Sequence, residues 1–127
     1  MTGYALQVDD KKSAKVLGRS LPISTKDSVS ICRNITGLNL EKGKTFMLGM
    51  LSEKRSIDGK FHTKAAFEIA KLLNSAERNA EFKGLDTSRM IIHASAHEGY
   101  TFYRPRRFKM HRQKKKVTHV QIVLLQK

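Results

Sequence analysis

The sequence predicts an α+β fold of three helices and three strands, with the last two strands joined by a hairpin drawn out into a long basic arm. Three observations carry this. Apolar residues recur at three- and four-residue intervals through 63–83, the period of an amphipathic helix. Residues 89–97 and 117–125 alternate apolar and polar side chains, the period of a strand. Between those strands, residues 103–116 hold eight Lys/Arg and no acid.

Taken in chain order, residues 1–12 show no strong period and read as a loosely attached terminus. Residues 16–23 (VLGRSLPI) alternate briefly, but Gly18 and Pro22 confine them to an edge strand or an extended segment. Ser24 then stands as an N-cap, with Asp27 three residues on in a capping-box arrangement. Val29, Ile31, Cys32 and Ile35 give the short first helix an apolar face that ends before Gly37. Asn39 is placed to cap a second helix in which Leu40, Met47, Met50 and Leu51 share a face. Gly43 and Gly49 weaken that helix by about 1 kcal/mol each, and it fades near Lys54. Asp58-Gly59 marks a turn. The third helix carries Ala66, Ile69, Ala70, Leu73, Ala76 and Ala80 on one face, with Gly84 following as the C′ residue.

In the first strand of the hairpin Met90, Ile92, Ala94 and Ala96 share a face, opposite His93, Ser95 and His97. In the second, Val120, Ile122 and Leu124 stand against Thr118, His119 and Gln121. Pairing continued outward from His97 and His119 would add about 11 residues per side, an arm of about 35 Å.

The length of 127 residues fits one domain, with residues 13–98 and 117–127 as the globule and 99–116 as the arm. Of the formal charge of +14, the first 98 residues supply +5 (16 basic, 11 acidic) and the last 29 supply +9. So charged a segment repels itself and needs a polyanion outside the molecule, for which nucleic acid is the natural candidate. One cysteine, Cys32, excludes an intramolecular disulfide and fits a reducing compartment. No apolar run approaches the roughly 20 residues of a membrane span and no signal-peptide pattern opens the chain, so a soluble intracellular protein is expected.

Within the arm, Tyr100, Phe102, Tyr103 and Phe108 interleave with the basic residues, so rings able to stack on unpaired bases sit beside guanidinium groups that clamp phosphate bidentately. A disordered basic tail or a localisation signal would account for Lys114 to Lys116 alone, but not for aromatics and Pro105 held between two good strands. Basic residues on the globule, Lys15 among them, suggest that it too lies against phosphate. The RNA-binding candidates are Lys15, Arg19, Lys26, Arg104, Arg106, Arg107, Lys109, Arg112, Lys114, Lys115 and Lys116.

Other chemistries find little support. His93 and His97, four apart on a strand, stand about 13 Å from each other, too far for a shared metal. Cys32 lies on an apolar helix face, and no glycine-rich phosphate loop is present. No catalytic residue, metal or cofactor is expected, although an RNA-modifying or RNA-cleaving enzyme built around His97, His111 or His119 and a free-standing regulator using the hairpin as a groove-reading ribbon stand as rival readings.

Residues 72–86 (LLNSAERNAEFKGLD), followed by a strand, Glu98-Gly99, Arg104-Pro105-Arg106 and Thr118-His119, resemble the large-subunit ribosomal protein family numbered twenty-two in bacteria and seventeen in eukaryotes. Residues 18–26 (GRSLPISTK) fit that family's passage from strand to first helix, and the resemblance spans 14–126. It implies three helices packed on a small three-stranded antiparallel sheet, with an extended β-hairpin reaching through ribosomal RNA. The tip, Tyr103, Arg104, Pro105, Arg106, Arg107, Phe108, Lys109 and Met110, would line the nascent-peptide exit tunnel. It also implies Arg19 and Lys26 at the RNA-facing start of the first helix. The implied partners are large-subunit ribosomal RNA, neighbouring ribosomal proteins and the nascent peptide, with no membrane and no small-molecule substrate; the implied location is the cytoplasmic ribosome. The chain departs from the family's pattern in having no glycine after Arg106. Residues 55–62 also replace the glycine-rich insertion of archaeal and eukaryotic members, which residues 82–86 otherwise resemble, making this a shortened relative.

Overall fold

The computed structural model describes residues 3–107 and 109–127. Their order is β1 (Ser13–Leu21), α1 (Thr25–Ile35), α2 (Leu40–Leu51), α3 (Thr63–Phe82), β2 (Met90–Glu98), β3 (Phe102–Tyr103), β4 (Lys114–Lys115) and β5 (Thr118–Gln126). The main sheet is antiparallel with order β1-β5-β2, and β3 and β4 form a separate two-stranded ladder. The fold is α+β, as the sequence predicts.

Burial of the helix faces holds the layers together. The core combines Ile31 and Ile35 of α1, Met47 and Met50 of α2, Ile69 and Leu73 of α3, and Ile92, Ile122 and Leu124 of the sheet. At the end of α3 the chain reverses on Gly84 (φ 72°): its N–H donates to Glu81 O at 2.9 Å, while Leu85 N–H reaches Ala80 O at 3.0 Å. These two bonds satisfy carbonyls that the helix end leaves free. Gly43, read from the sequence as a weak point of α2, packs directly against the Ile92 side chain of the sheet. A Cβ there would collide with Ile92 Cδ1.

Four expectations are corrected. Residues 3–12 are tied down rather than loose: Ala5 N–H donates to Gln121 Oε1 at 2.8 Å, and Gln121 Nε2 donates to Gly3 O at 2.6 Å; Met1 and Thr2 lie outside the described residues. Asn39 makes no side-chain cap bond. Its carbonyl takes the Gly43 N–H, while its backbone bridges to Ile91 and so shields the free edge of β2. The capping box at α1 is half formed: Ser24 Oγ accepts the Asp27 N–H at 3.5 Å, but the Asp27 carboxylate turns to His62 Nδ1 at 3.1 Å. Finally, β5 is buried on both faces, His119 and Gln121 included, because it is the central strand, with helices on one side and residues 3–12 crossing near Gln121 on the other. Alternation in the sequence suggested a strand with one open face.

Candidate nucleic-acid interface

The arm grows directly from the sheet. β2 and β5 pair in register as far as Glu98 and Thr118, and Gly99 N–H donates to Val117 O at 3.0 Å. A Cβ on Gly99 would stand 2.6 Å from Val117 Cγ1, so the root has no room for a side chain. Pairing resumes with Phe102 opposite Lys115 and Tyr103 opposite Lys114. Three residues, 99–101, therefore face two, 116–117, which is a bulge at the root of the arm. The neck closes where Arg104 N–H donates to Gln113 O at 2.9 Å and Arg112 N–H donates to Arg104 O at 3.2 Å. The ladder thus ends at Arg104, seven residues or about 23 Å beyond His97, short of the expected 35 Å. Residues on both sides of the reversal are spent on turns instead.

Along this arm the side chains of 100–107 and 109–116 are exposed. Phe102 is half exposed and Tyr103 is 65% exposed. Pro105, Arg106, Arg107, Lys109 and Met110 occupy the tip beyond the neck; Phe108, the remaining tip candidate, lies outside the described residues. Lys114 pairs with Glu98, the last carboxylate before the arm.

The structure divides the sequence-predicted RNA-binding residues among three regions: the neck and tip of the arm (Arg106, Arg107, Lys109 and Arg112), the arm root, and the edge strand β1. At the arm root, Arg104, Lys114, Lys115 and Lys116 line one side of an open groove of about 710 Å³, with Ser24, Asp27, His62 and Lys64 on the other. Lys26 joins Lys114 to Lys116 around a smaller recess of about 230 Å³ beside it. The first turns of α1 and α3 both border this groove, and the Asp27–His62 pair ties them together. Free N–H groups at helix starts favour anions. Lys15 and Arg19 lie elsewhere, on a groove formed by the edge strand β1, Tyr4 and Asn79 of α3. Lys15 is engaged within the protein: its Nζ binds Asp10 Oδ1 at 2.5 Å and stands 5.7 Å from the Tyr4 ring centroid. That ammonium holds the Asp10 carboxyl below its usual range.

Sequence reasoning missed the part that Asp27, His62 and Lys64 play at the arm root. No local pattern marks it, since residues 22–27, 62–65 and 113–116 meet only through tertiary packing. His97 and His119 do face each other across the hairpin, as the alternation of the two strands suggests, but nothing in the sequence signals that Ser20 and Tyr100 gather around His119. This side chain is 4% exposed, accepts the Ser20 N–H at Nδ1, and packs with His97 (5.1 Å between ring centroids) and edge-on to Tyr100 (5.2 Å). Burial lowers its pKa, helped by electrostatic repulsion from neighbouring His97 and Arg19 that disfavours a second positive charge here. Acceptance at Nδ1 leaves Nε2 to carry the proton of the neutral ring. Such a buried and bonded group is a structural element between β1 and the arm root.

Comparison with known proteins agrees with this architecture. The family described as Ribosomal protein L22p/L17e matches residues 16–125. Proteins named large ribosomal subunit protein uL22 are similar over nearly the whole chain. That of Methanococcus vannielii is 34% identical, covering 96% of this chain and 95% of the relative. Those of Methanococcus aeolicus (33%; 95% and 94%) and Methanocaldococcus jannaschii (32%; 95% and 92%) follow. The alignment to the M. vannielii protein runs over 145 positions, more than the 127 residues present here, so that relative holds residues with no counterpart in this shortened chain. With the family match, the helices on a three-stranded sheet and the basic hairpin, the chain belongs to the ribosomal protein L22p/L17e family: it is a structural protein of the large subunit, at work on the cytoplasmic ribosome, and not an enzyme.

Proposed function

We propose that the chain binds large-subunit ribosomal RNA through its arm and arm root, and that the arm tip lines the nascent-peptide exit tunnel. A single domain serves this: residues 13–98 and 117–127 rest on folded RNA, and residues 99–116 thread inward. One observation carries the reading. Residues 103–116 bring eight cations and no carboxylate to a two-stranded arm whose described side chains are exposed, interleaved with exposed rings. Packed phosphates are the environment in which such a surface loses its self-repulsion, by releasing their counterions.

In this reading Arg104, Arg106, Arg107, Lys109, Arg112 and Lys114 to Lys116 neutralise phosphates along the arm, with Lys26 joining them at the root. Lys15 and Arg19 form a separate contact along β1, for which Lys15 exchanges Asp10 for phosphate. Tyr103 to Met110 meet the nascent peptide, and neighbouring ribosomal proteins adjoin the globule.

The test has two parts. Affinity for an isolated large-subunit RNA transcript should fall by roughly 10³ to 10⁵ between 50 and 200 mM salt if six to ten phosphates are contacted. An electron cryo-microscopy map of the ribosome should trace the arm between RNA helices with its tip on the tunnel wall. A flat salt response, or an arm standing in bulk solvent, would defeat the reading, and a chain that stays off ribosomes in a lysate would favour a free-standing regulator.

A further inference from the structure

Gly99 is the last glycine of the chain, yet the reversal at the end of the arm uses a left-handed residue. Arg112 takes it, with φ 62°. In that conformation the Cβ of an L-residue crowds its own carbonyl, a cost that glycine escapes and that Asn or Asp offset with short side-chain hydrogen bonds. A long unbranched arginine has neither remedy. Nor can its backbone relax, because Arg112 N–H is held on Arg104 O and the next residue's carbonyl takes the Arg104 N–H.

Among the described residues nothing repays this arrangement. The Arg112 side chain is exposed and forms no hydrogen bond or ion pair among the described residues, and no carboxylate follows Glu98 in the sequence. Glycine at this position would relieve the strain and one of eight crowded positive charges together. Backbone strain without a folded-state contact is characteristic of positions whose side chain is held ready for a partner.

We infer that Arg112 is a dedicated RNA contact of the arm, its guanidinium taking one phosphate of ribosomal RNA through two parallel N–H···O bonds from a direction set by the left-handed backbone. This rests on the RNA-binding reading above and singles out one residue from an otherwise diffuse set of charges. Planar bidentate geometry is what distinguishes arginine from the lysines around it.

The experiment compares wild type, Arg112→Gly, Arg112→Lys and Lys109→Ala for binding to a large-subunit RNA transcript across a potassium chloride series, with thermal melts of each free protein. Arg112→Gly should melt at or above the wild-type temperature, bind at least about tenfold more weakly, and lose about one from the slope of log affinity against log salt. Arg112→Lys should keep the slope yet bind about three- to fivefold more weakly, and Lys109→Ala should lose only about two- to threefold. The inference is overturned if Arg112→Gly binds within twofold of wild type or no worse than Lys109→Ala, if its slope is unchanged, or if its melting temperature drops, since the left-handed arginine would then not be strained. If the wild type itself shows no salt-dependent binding, the RNA reading falls and takes this inference with it; if wild type binds and Arg112→Gly is its equal, only the inference falls.

Discussion

The backbone N–H of Ser20 donates to Nδ1 of His119 at 2.9 Å, joining the irregular end of β1 to the central strand beside the arm root. Ser20 is left-handed (φ 53°) and sits where the β1–β5 register shifts, so this bond secures a bulge that the ladder itself leaves unpaired.

The first prediction follows from the proton on that ring. A lowered folded-state pKa means that the unfolded chain binds the proton more readily, so stability is complete above the unfolded value of about 6.5 and is lost as pH falls below it. The wild-type melting temperature should drop between pH 7.5 and pH 5, and the drop should shrink in His119→Gln. The Asp10 carboxyl, bonded to Lys15, and the Asp86 carboxyl, bonded to Ser88, are both shifted downward, away from this pH window, and cannot mimic the effect. Equal drops in both proteins would assign the effect elsewhere.

Close packing between α2 and the sheet gives the second. Gly43→Ala gains about 1 kcal/mol in helix propensity but forces a methyl against Ile92, an overpacking that costs about 1 to 3 kcal/mol. A net loss of up to about 2 kcal/mol is expected by chemical denaturation. Adding Ile92→Val removes the colliding Cδ1, so the double variant should be more stable than Gly43→Ala alone.

Cys32 supplies the third. Burial pushes its thiol pKa up to about 12, which leaves almost no thiolate at neutral pH. Native protein should resist iodoacetamide at pH 8, whereas protein unfolded in guanidinium should react fully. Rapid native labelling would show that α1 separates readily from the core.

A fourth concerns the amino-terminal segment. Gln121→Leu removes both side-chain bonds to Gly3 and Ala5, worth about 1 kcal/mol each. Exchange of the Ala5 amide should accelerate about tenfold or more, with little change in the β5 core amides. Unchanged protection at Ala5 would mean that other contacts hold the segment.

The helices were legible because their signals are local. Ser24 accepts the Asp27 N–H, the Ala66–Ala80 stripe is on the buried side of α3, and Gly84 reverses the chain where its position predicts. The antiparallel pairing of β2 with β5 was legible from two alternating segments flanking an acid-free run. Properties set by third parties were hidden. The double burial of β5 depends on β1 and on residues 3–12, which carry no periodic signal. Asp27 looked like a capping-box partner because nothing in the sequence announces that His62 will stand beside it. Arg104 and Lys114 were identified by charge and position, but their convergence with Lys64 on one groove needs the packing of α1, α3 and the arm together.

The extra residue in 99–101 interrupts the register between the arm and the strands that carry it. Inside and outside on the sheet therefore do not continue as inside and outside on the arm, and Phe102 and Tyr103 are released from the alternation that governs His97 and Glu98. Deleting one residue there would leave two residues facing two, a regular ladder from sheet to arm, and would turn Phe102 and Tyr103 to the opposite faces of their strand. The aim of this finger is thus set at its knuckle, independently of the charges it delivers.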